Sequence, residues 1–142
     1  MNDALDLQRF LDAQAPVYAQ ACAELLMGDK ETHWMWFIFP QIAGLGHSAM
    51  AQRYAITNSA EALAYLAHPV LGSRLVQCTE MMLTHPHKSA RQILGAIDEL
   101  KFCSSMTLFD AVQTEISIFR IALDRFFRGV RDGRTLQLLA TR

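Results

Sequence analysis

The chain has 142 residues, of which 51% are hydrophobic and 19% are charged, and its formal net charge is −1. This length is typical of one domain, and the composition excludes a disordered chain. The small net charge argues against general electrostatic binding to nucleic acid or to an anionic membrane surface. We therefore expect one globular domain over residues 1–142, with nucleic acid an improbable partner.

The cysteines and the N-terminal residues indicate the cellular compartment of the protein. Cys22, Cys78 and Cys103 are odd in number and widely spaced, which predicts free thiols in a reducing environment. Residues 1–6 are acidic and contain no long apolar run, so we expect no signal peptide. A run of about 18 apolar residues is also absent, which predicts no membrane span. Together these features predict a cytoplasmic protein.

Two amphipathic helices are predicted at the start of the chain. The first is expected over residues 3–14, with Asp3 as its N-cap. The second is expected over residues 16–27, because Pro16 suits a first helical turn and Gly28 suits the position after the last one. The predicted buried stripe of this second helix is Tyr18, Ala21, Cys22, Leu25 and Leu26.

The stretch from His33 to Gln41 is the most aromatic part of the chain and holds both tryptophans. Aromatic residues favour strands, but no second strand of similar strength is present to pair with this one. We therefore predict a short buried helix with Thr32 as its N-cap, ending near Pro40. Because the segment is apolar on all sides, it should form the centre of the core, the floor of a pocket, or both.

Capping residues and proline or glycine breaks predict seven further helices. They are expected over residues 48–55, 59–67, 69–84, 89–94, 98–109, 114–127 and 135–139. Asn58 with Glu61, and Ser89 with Gln92, are predicted capping boxes. The core face of the helix from residue 114 is expected to consist of Ile116, Phe119, Leu123, Phe126 and Phe127. The prediction is an all-α fold, a single multihelical domain of several short helices.

Motifs of known catalytic and nucleotide-binding families are absent from the sequence. The five histidines do not show the spacing of zinc ligands, so we predict no metal and no cofactor. His33 differs from the others because it directly precedes Trp34 in the most apolar stretch. It is a candidate acid, base or hydrogen-bond donor, and the alternative is a core or capping histidine.

Lys101 and the hydroxyl groups of Ser104, Ser105 and Thr107 lie in an otherwise apolar stretch. In a helix, Lys101 and Ser105 share a face, and a cation beside hydroxyls suits a phosphate or carboxylate ligand. Serine–lysine pairs also act as nucleophile and base in some hydrolases. The structural alternative is that Lys101 pairs with Asp98 or extends to solvent while the hydroxyls bond to helix backbone.

Polar and aromatic residues elsewhere are candidates for orienting a ligand. The full set of ligand-pocket candidates is Trp34, Trp36, Gln41, Ser48, Arg53, Ser104 and Ser105. The two indoles would stack on a planar ring, and His33 and Lys101 are the candidate catalytic residues. The alternative is a well-packed core surrounded by surface charges.

A resemblance to a known family rests on segments along nearly the whole chain. They are Leu7–Phe10, Ala13–Gln14, Tyr18, His33–Gln41, Gly44–Gly46, Ala51–Ile56, Ala64–Gly72, Asp98, Leu100, Lys101 and Ser104–Phe109. These segments resemble the bacterial family called domain of unknown function 1810, which has sometimes been mislabelled calpastatin. The resemblance implies a mainly α-helical cytoplasmic domain and no established activity. Phe102 and Cys103 depart from the expected pattern, which has a more polar pair at those positions.

Three function hypotheses follow. The leading one is a protein that binds a small anionic, nucleotide-like ligand in an aromatic and polar pocket. The second is an enzyme of the hydrolase or glycosidic-bond type that acts on ADP-ribose-like groups, with His33 or Lys101 as its acid or base. The third is a structural or protein-interaction module, which an exposed apolar patch would mark. The sequence identifies no particular protein partner.

Overall fold

The computed structural model describes residues 6–142, and these residues form ten helices. The helices are α1 Gln8–Gln14, α2 Tyr18–Met27, α3 Met35–Ile38, α4 Ala49–Arg53, α5 Ser59–Ala67, α6 Leu71–Leu83, α7 Ala90–Leu94, α8 Ala96–Ala111, α9 Ile118–Phe127 and α10 Gly133–Ala140. Within this described part, the only β-pairing is an isolated parallel bridge between Ile42 and Ile56. The all-α prediction is confirmed.

The longest helix, α8, lies at the centre of the packing and contacts α5, α7, α9 and α10. Its side chains are buried almost without interruption from Phe102 to Asp110. The ring of Phe102 lies 4.9 Å from that of Phe39, and the ring of Phe109 lies 5.8 Å from that of Phe119. The predicted aromatic stretch therefore contributes to one hydrophobic core, which α8 organises.

Several predicted helix ends are confirmed. Gly28 ends α2 with φ +72°, a conformation that residues with a Cβ rarely adopt. Ser89 and Gln92 form the complete capping box at α7. His68 ends α5, and its Nδ1 accepts hydrogen bonds from the backbone N–H groups of the two residues that precede and begin α6.

Other predicted ends are wrong at the level of single residues. Helix α2 begins at Tyr18, after Pro16 rather than at it. Thr32 does not cap α3, because its hydroxyl donates to Glu24 instead. Asp98 lies inside the first turn of α8, which begins two residues earlier. The predicted N-cap Asp3 lies outside the described residues.

The predicted capping box at α5 is only half present. Asn58 Oδ1 accepts the backbone N–H of Glu61 at 3.0 Å, as expected of an N-cap. The Glu61 carboxylate, however, accepts the backbone N–H of Thr57 and pairs with Arg9 at 3.1 Å, rather than returning to Asn58. The carboxylate thus links α5 to α1.

The clearest error concerns the predicted helix from residue 114. Helix α9 begins at Ile118, with Ser117 as its N-cap, and residues 113–117 are irregular. Ile116, which was expected in the core, is 77% exposed. Helix α10 also begins earlier than expected, at Gly133, because Asp132 caps it by accepting the N–H of Thr135.

Gly72 permits the close approach between the end of α5 and the start of α6. A Cβ atom at this position would lie 2.1 Å from the backbone oxygen of Leu66, which is far inside van der Waals contact. Only glycine fits here without a backbone shift. The close packing at the α5–α6 corner therefore depends on the absence of a Cβ atom at Gly72.

Candidate functional site

Trp34 is fully buried and serves the core. Its indole Nε1 donates to Glu24 Oε1 at 3.0 Å, and its ring centroid lies 6.3 Å from that of Phe39. A buried indole N–H needs such an acceptor. With no exposed surface, Trp34 offers no face on which a ligand in solution would stack.

Glu24 holds the loop that leads into α3. Its carboxylate accepts hydrogen bonds from the backbone N–H of Glu31 at 2.9 Å, and from the N–H and hydroxyl of Thr32 at 3.0 and 2.6 Å. Burial alone would raise the pKa of Glu24, but hydrogen bonds, chiefly from Thr32, outweigh burial and lower the pKa to about 2. Sequence reasoning missed this anchor because a glutamate in a surface helix normally faces solvent.

Four residues form what we call the lysine–tryptophan cluster: Lys30, Trp36, Asp98 and Lys101. Lys30 Nζ lies 2.9 Å from Asp98 Oδ2, and Lys101 Nζ lies 3.4 Å from Asp98 Oδ1. The ammonium group of Lys101 also lies 5.2 Å from the ring centroid of the half-buried Trp36, within cation–π range. The structure thus brings two predicted site residues together, and it contains the Lys101–Asp98 pair of the structural alternative.

The two lysines of the cluster differ in access to solvent. The side chain of Lys30 is only 6% exposed, and it also donates to the backbone oxygen of Thr32 at 2.6 Å. The side chain of Lys101 is 24% exposed. Two ammonium groups share one carboxylate, so the cluster carries one excess positive charge, and Lys101 is the lysine that a dissolved anion would meet first.

His33 is exposed on the loop before α3. The alternative that it is a core histidine is therefore wrong. Within the described residues its ring makes no hydrogen bond to protein. The position allows contact with solvent beside Trp34, but it does not fix the orientation of the ring.

Gln41, Ser48 and Arg53 serve the local structure around α4. The carbonyl oxygen of Gln41 accepts the backbone N–H of Ile56 at 2.8 Å, and Ser48 caps the first turn of α4. The exposed Arg53 contacts its neighbour Tyr54, with its Nε 3.3 Å from the hydroxyl. None of these three side chains hydrogen-bonds to the lysine–tryptophan cluster in the part of the chain that is described.

Ser104 and Ser105 are both buried in α8. Ser104 Oγ donates at 3.1 Å to the backbone oxygen of Leu100 and lies 3.1 Å from a carboxylate oxygen of Asp132. Ser105 Oγ is fully buried and has no hydrogen-bond partner among the described residues. Ser105 is therefore enclosed by the core, whereas the side chain of Lys101, one turn earlier on the same helix, reaches the surface.

A groove of about 1060 Å³ lies on a different part of the surface. One wall consists of residues from α5 and α6, and the other consists of residues 112–119, which connect α8 to α9. We call it the α6–α9 groove. None of the predicted site residues lines it. Sequence reasoning overlooked Ser117, which precedes an apolar pair and is a good N-cap residue. Its position marks residues 113–117 as a connection between two helices.

Both apolar and polar side chains line this groove. Leu66, Val76 and Phe119 are apolar residues of the walls, while Leu63 and Ile116 are exposed. The polar members include three hydroxyl residues, two glutamines and two glutamates, which are Ser73, Thr114, Ser117, Gln77, Gln113, Glu80 and Glu115. Among the described residues, no histidine, cysteine or lysine lines the groove.

Helix α9 is fixed beside the groove by the buried carboxylate of Asp110. Ser117 Oγ donates to Asp110 Oδ1 at 3.0 Å. Arg120 and Arg131 pair with Asp110 Oδ2 at 3.4 and 2.8 Å. Because Ser117 is held at one end of the 113–117 segment, the exposed residues before it present a defined wall rather than the start of a helix.

The remaining reactive groups do not form a centre. Burial raises the pKa of the Cys78 thiol to about 12 and that of the Cys103 thiol to about 11, so neither is an activated thiolate at neutral pH. Among residues 6–142, no three histidine, cysteine, aspartate or glutamate side chains are grouped as a metal ion requires. Over the same residues, no helix combines the length and apolar character needed to cross a bilayer.

The chain matches a family model and is similar to a solved structure. The sequence model of a family described as "Protein of unknown function (DUF1810)" matches residues 4–139. The fold is similar to the crystal structure of the conserved hypothetical protein Rv1873 from Mycobacterium tuberculosis, with a TM-score of 0.94. The two share 47% sequence identity over 97% of this chain and 99% of that one. No curated protein matches the chain.

Proposed function

The chain belongs to the DUF1810 family of proteins of unknown function, and from that premise we propose that it is a protein-interaction module whose α6–α9 groove binds a segment of another protein. The single observation behind this proposal is the groove itself, with a volume of about 1060 Å³ and apolar residues on both walls. A large concave surface of this kind is the default binding-site hypothesis for an uncharacterised fold.

The shape of the groove favours a protein segment over a small molecule. Small-ligand sites usually enclose roughly 70–90% of the ligand surface. Many residues that line this groove are exposed, including Ser73 and Glu80 of α6 and Thr114 of the opposite wall, so an occupant would keep one side in solvent. A peptide that continues into a larger partner tolerates such one-sided burial.

Exposed apolar residues at the rim support the same proposal. Ile116 is 77% exposed and Leu63 is 48% exposed, and both line the groove. Apolar side chains beside a groove are typical of interaction surfaces, where a few such residues dominate the binding energy.

The proposal is tested by selecting binders from a random peptide library displayed on phage, with the full chain as bait. We expect peptides whose affinity falls at least about tenfold for Ile116→Ser, since the substitution removes an apolar rim contact without adding a charge. The matched control is Ile97→Ser, because Ile97 is 74% exposed but lies on α8 outside the groove. Failure to obtain any binder sensitive to Ile116 but not to Ile97 would overturn the proposal.

A second candidate function is binding of a small anionic, nucleotide-like ligand at the lysine–tryptophan cluster. The observation that favours it is the excess positive charge beside the partly exposed ring of Trp36. Lys101 would contact an anionic group while the indole contacts a planar ring. The enzymatic alternative, with ADP-ribose-like substrates and His33 or Lys101 as acid or base, has no comparable observation behind it and stays a prediction.

Thermal unfolding against a panel of nucleotides, ADP-ribose and sugar phosphates tests this second function. A ligand at 100 times its Kd should stabilise the fold by about 2.7 kcal/mol. The stabilisation should vanish in Lys101→Ala and persist in Lys88→Ala, because Lys88 bonds to the backbone oxygen of Gly28 and is outside the cluster. If no ligand of the panel raised the unfolding temperature, this second function would be excluded.

Either function is proposed for the cytoplasm of a bacterium. Cys22, Cys78 and Cys103 are all unpaired, which suits a compartment that keeps thiols reduced. Labelling the thiols of the protein in intact cells, before and after reduction, tests this location. Equal labelling in both samples is expected, and a large increase after reduction would contradict it.

A further inference from the structure

The wall of the groove formed by residues 114–116 contains backbone groups that have no partner in the protein. Helix α8 ends at Ala111 and α9 begins at Ile118. Within the described chain, neither the N–H nor the carbonyl groups of Thr114, Glu115 and Ile116 form a hydrogen bond to other protein atoms. Because all three residues are exposed, solvent or an occupant is the remaining hydrogen-bond partner for these groups.

Unpaired backbone groups on a groove wall select for the conformation of the occupant. A helix satisfies its own backbone N–H and carbonyl groups internally, so it would gain little from them. An extended peptide has free backbone groups of its own and can exchange hydrogen bonds with the wall. The 114–116 segment therefore favours an extended occupant over a helical one.

The charges of the groove select for the sequence of the occupant. Glu80 on the α6 wall and Glu115 on the opposite wall are both exposed, and neither has an ion-pair partner among the described residues. In the described part of the chain, no lysine or arginine lines the groove. The two carboxylates would repel an acidic segment and attract a basic one, which gives specificity and faster association.

From these observations we infer that the partner of the α6–α9 groove is an extended peptide that carries lysine or arginine together with apolar side chains. This inference rests on the proposed interaction function. The apolar side chains pack against Val76 and Ile116, the basic side chains approach Glu80 and Glu115, and the peptide backbone bonds to residues 114–116.

The composition of selected peptides provides the first test. Among library binders that depend on Ile116, we expect enrichment of lysine and arginine over the starting library. Groove binders that are acidic or neutral would overturn the inference while leaving the interaction function intact. If no groove binder is recovered, the interaction function itself fails, so the two failures are distinguishable.

A charge reversal provides the second test. The double variant Glu80→Lys with Glu115→Lys should weaken the best basic peptide by roughly three- to tenfold, as expected for two exposed ion pairs, and should strengthen its glutamate-substituted counterpart. Glu31→Lys is the control, since Glu31 is exposed outside the groove. Circular dichroism verifies that both variants fold. Unchanged preference for the basic peptide in the double variant would overturn the inference.

Backbone methylation separates extended from helical binding. Methylating alternate amide nitrogens of the selected peptide removes donors on one edge of an extended chain. We expect methylation of one of the two alternate sets to weaken binding several-fold, while methylation of the other set leaves it nearly unchanged. Equal effects of both sets, or no effect of either, would contradict pairing with the 114–116 wall.

Discussion

The loop around Trp34 and the wall formed by residues 114–116 are opposites in how their polar groups are satisfied. At Trp34 the indole N–H and two backbone N–H groups converge on the single buried carboxylate of Glu24. At residues 114–116 the backbone groups have no partner among the described residues, and the three residues are exposed. The polar groups around Trp34 are hydrogen-bonded within the protein, whereas the backbone groups of residues 114–116 are left for solvent or a ligand.

This contrast shows that a conspicuous residue such as Trp34 can serve the core alone. Tryptophans and buried polar groups draw attention in a sequence, but a core uses both for its own stability. The groove is made of ordinary residues on an irregular connection, where binding residues are often located. Stability and binding should therefore respond to different substitutions, and the following predictions separate them.

The largest loss of stability is expected for Trp34→Ala. It removes a fully buried ring and leaves the Glu24 carboxylate without its indole donor, so the free energy of unfolding should fall by about 4 kcal/mol. Urea denaturation measures this. The control is the half-buried Trp36, for which Trp36→Ala should cost about 1 kcal/mol through loss of partial burial and the Lys101 contact. Equal losses would contradict the structural role of Trp34.

Glu24 should make stability depend on pH in the acid range. Its pKa of about 2 in the folded state lies below the ordinary value of 4.5, so its contribution is complete above pH 4.5 and is lost as the pH falls toward 2. The lost stability should be about 3 kcal/mol. Urea midpoints of wild type and Glu24→Gln should converge near pH 2, and parallel curves across this range would exclude the assignment.

Gly72→Ala should cost about 2 kcal/mol, because the added Cβ collides with the backbone of Leu66 and forces α5 and α6 apart. The matched control is Gly133→Ala in α10, where a Cβ meets nothing within 4 Å and should stabilise by about 0.5 kcal/mol through helix propensity. Thermal unfolding measures both. A tolerated Gly72→Ala would mean that the α5–α6 corner adapts.

The smallest effect on stability is expected for Ile116→Ser. Ile116 is exposed and contributes little to the core, so the free energy of unfolding should change by no more than about 0.5 kcal/mol. Peptide binding in the groove should nonetheless weaken clearly. If Ile116→Ser destabilised the protein as much as Gly72→Ala, the residue would belong to the core and the two regions would not differ as described.

Much of the fold could be predicted because several helix ends are determined by residues that lie close together in the sequence. Gly28, the His68–Pro69 break and the Ser89–Gln92 box each act within a few residues, so the sequence alone locates them. The error at Thr32 has a long-range cause. Its hydroxyl is taken by Glu24, which lies eight residues away and whose burial follows only from packing.

The site was harder to predict than the fold. Ile116 extends the helical apolar spacing of Phe119 and Leu123 toward the N-terminus, so the sequence predicts a helix that starts too early. The carboxylate of Asp110 instead holds Ser117 as the N-cap of α9, so this helix begins only after Ser117. Ser105 is buried while Lys101 is accessible because of how α8 is rotated in the core. The sequence periodicity does not determine this rotation when a helix is apolar on most sides.

One nuclear magnetic resonance titration compares both regions directly. The two indole N–H signals report on Trp34 and Trp36, while the backbone amide signals of Thr114, Glu115 and Ile116 report on the groove wall. On addition of a peptide selected from the library, we predict that the three amide signals shift and that both indole signals stay fixed. Movement of the Trp36 indole with unchanged groove amides would contradict the assignment of binding to the α6–α9 groove.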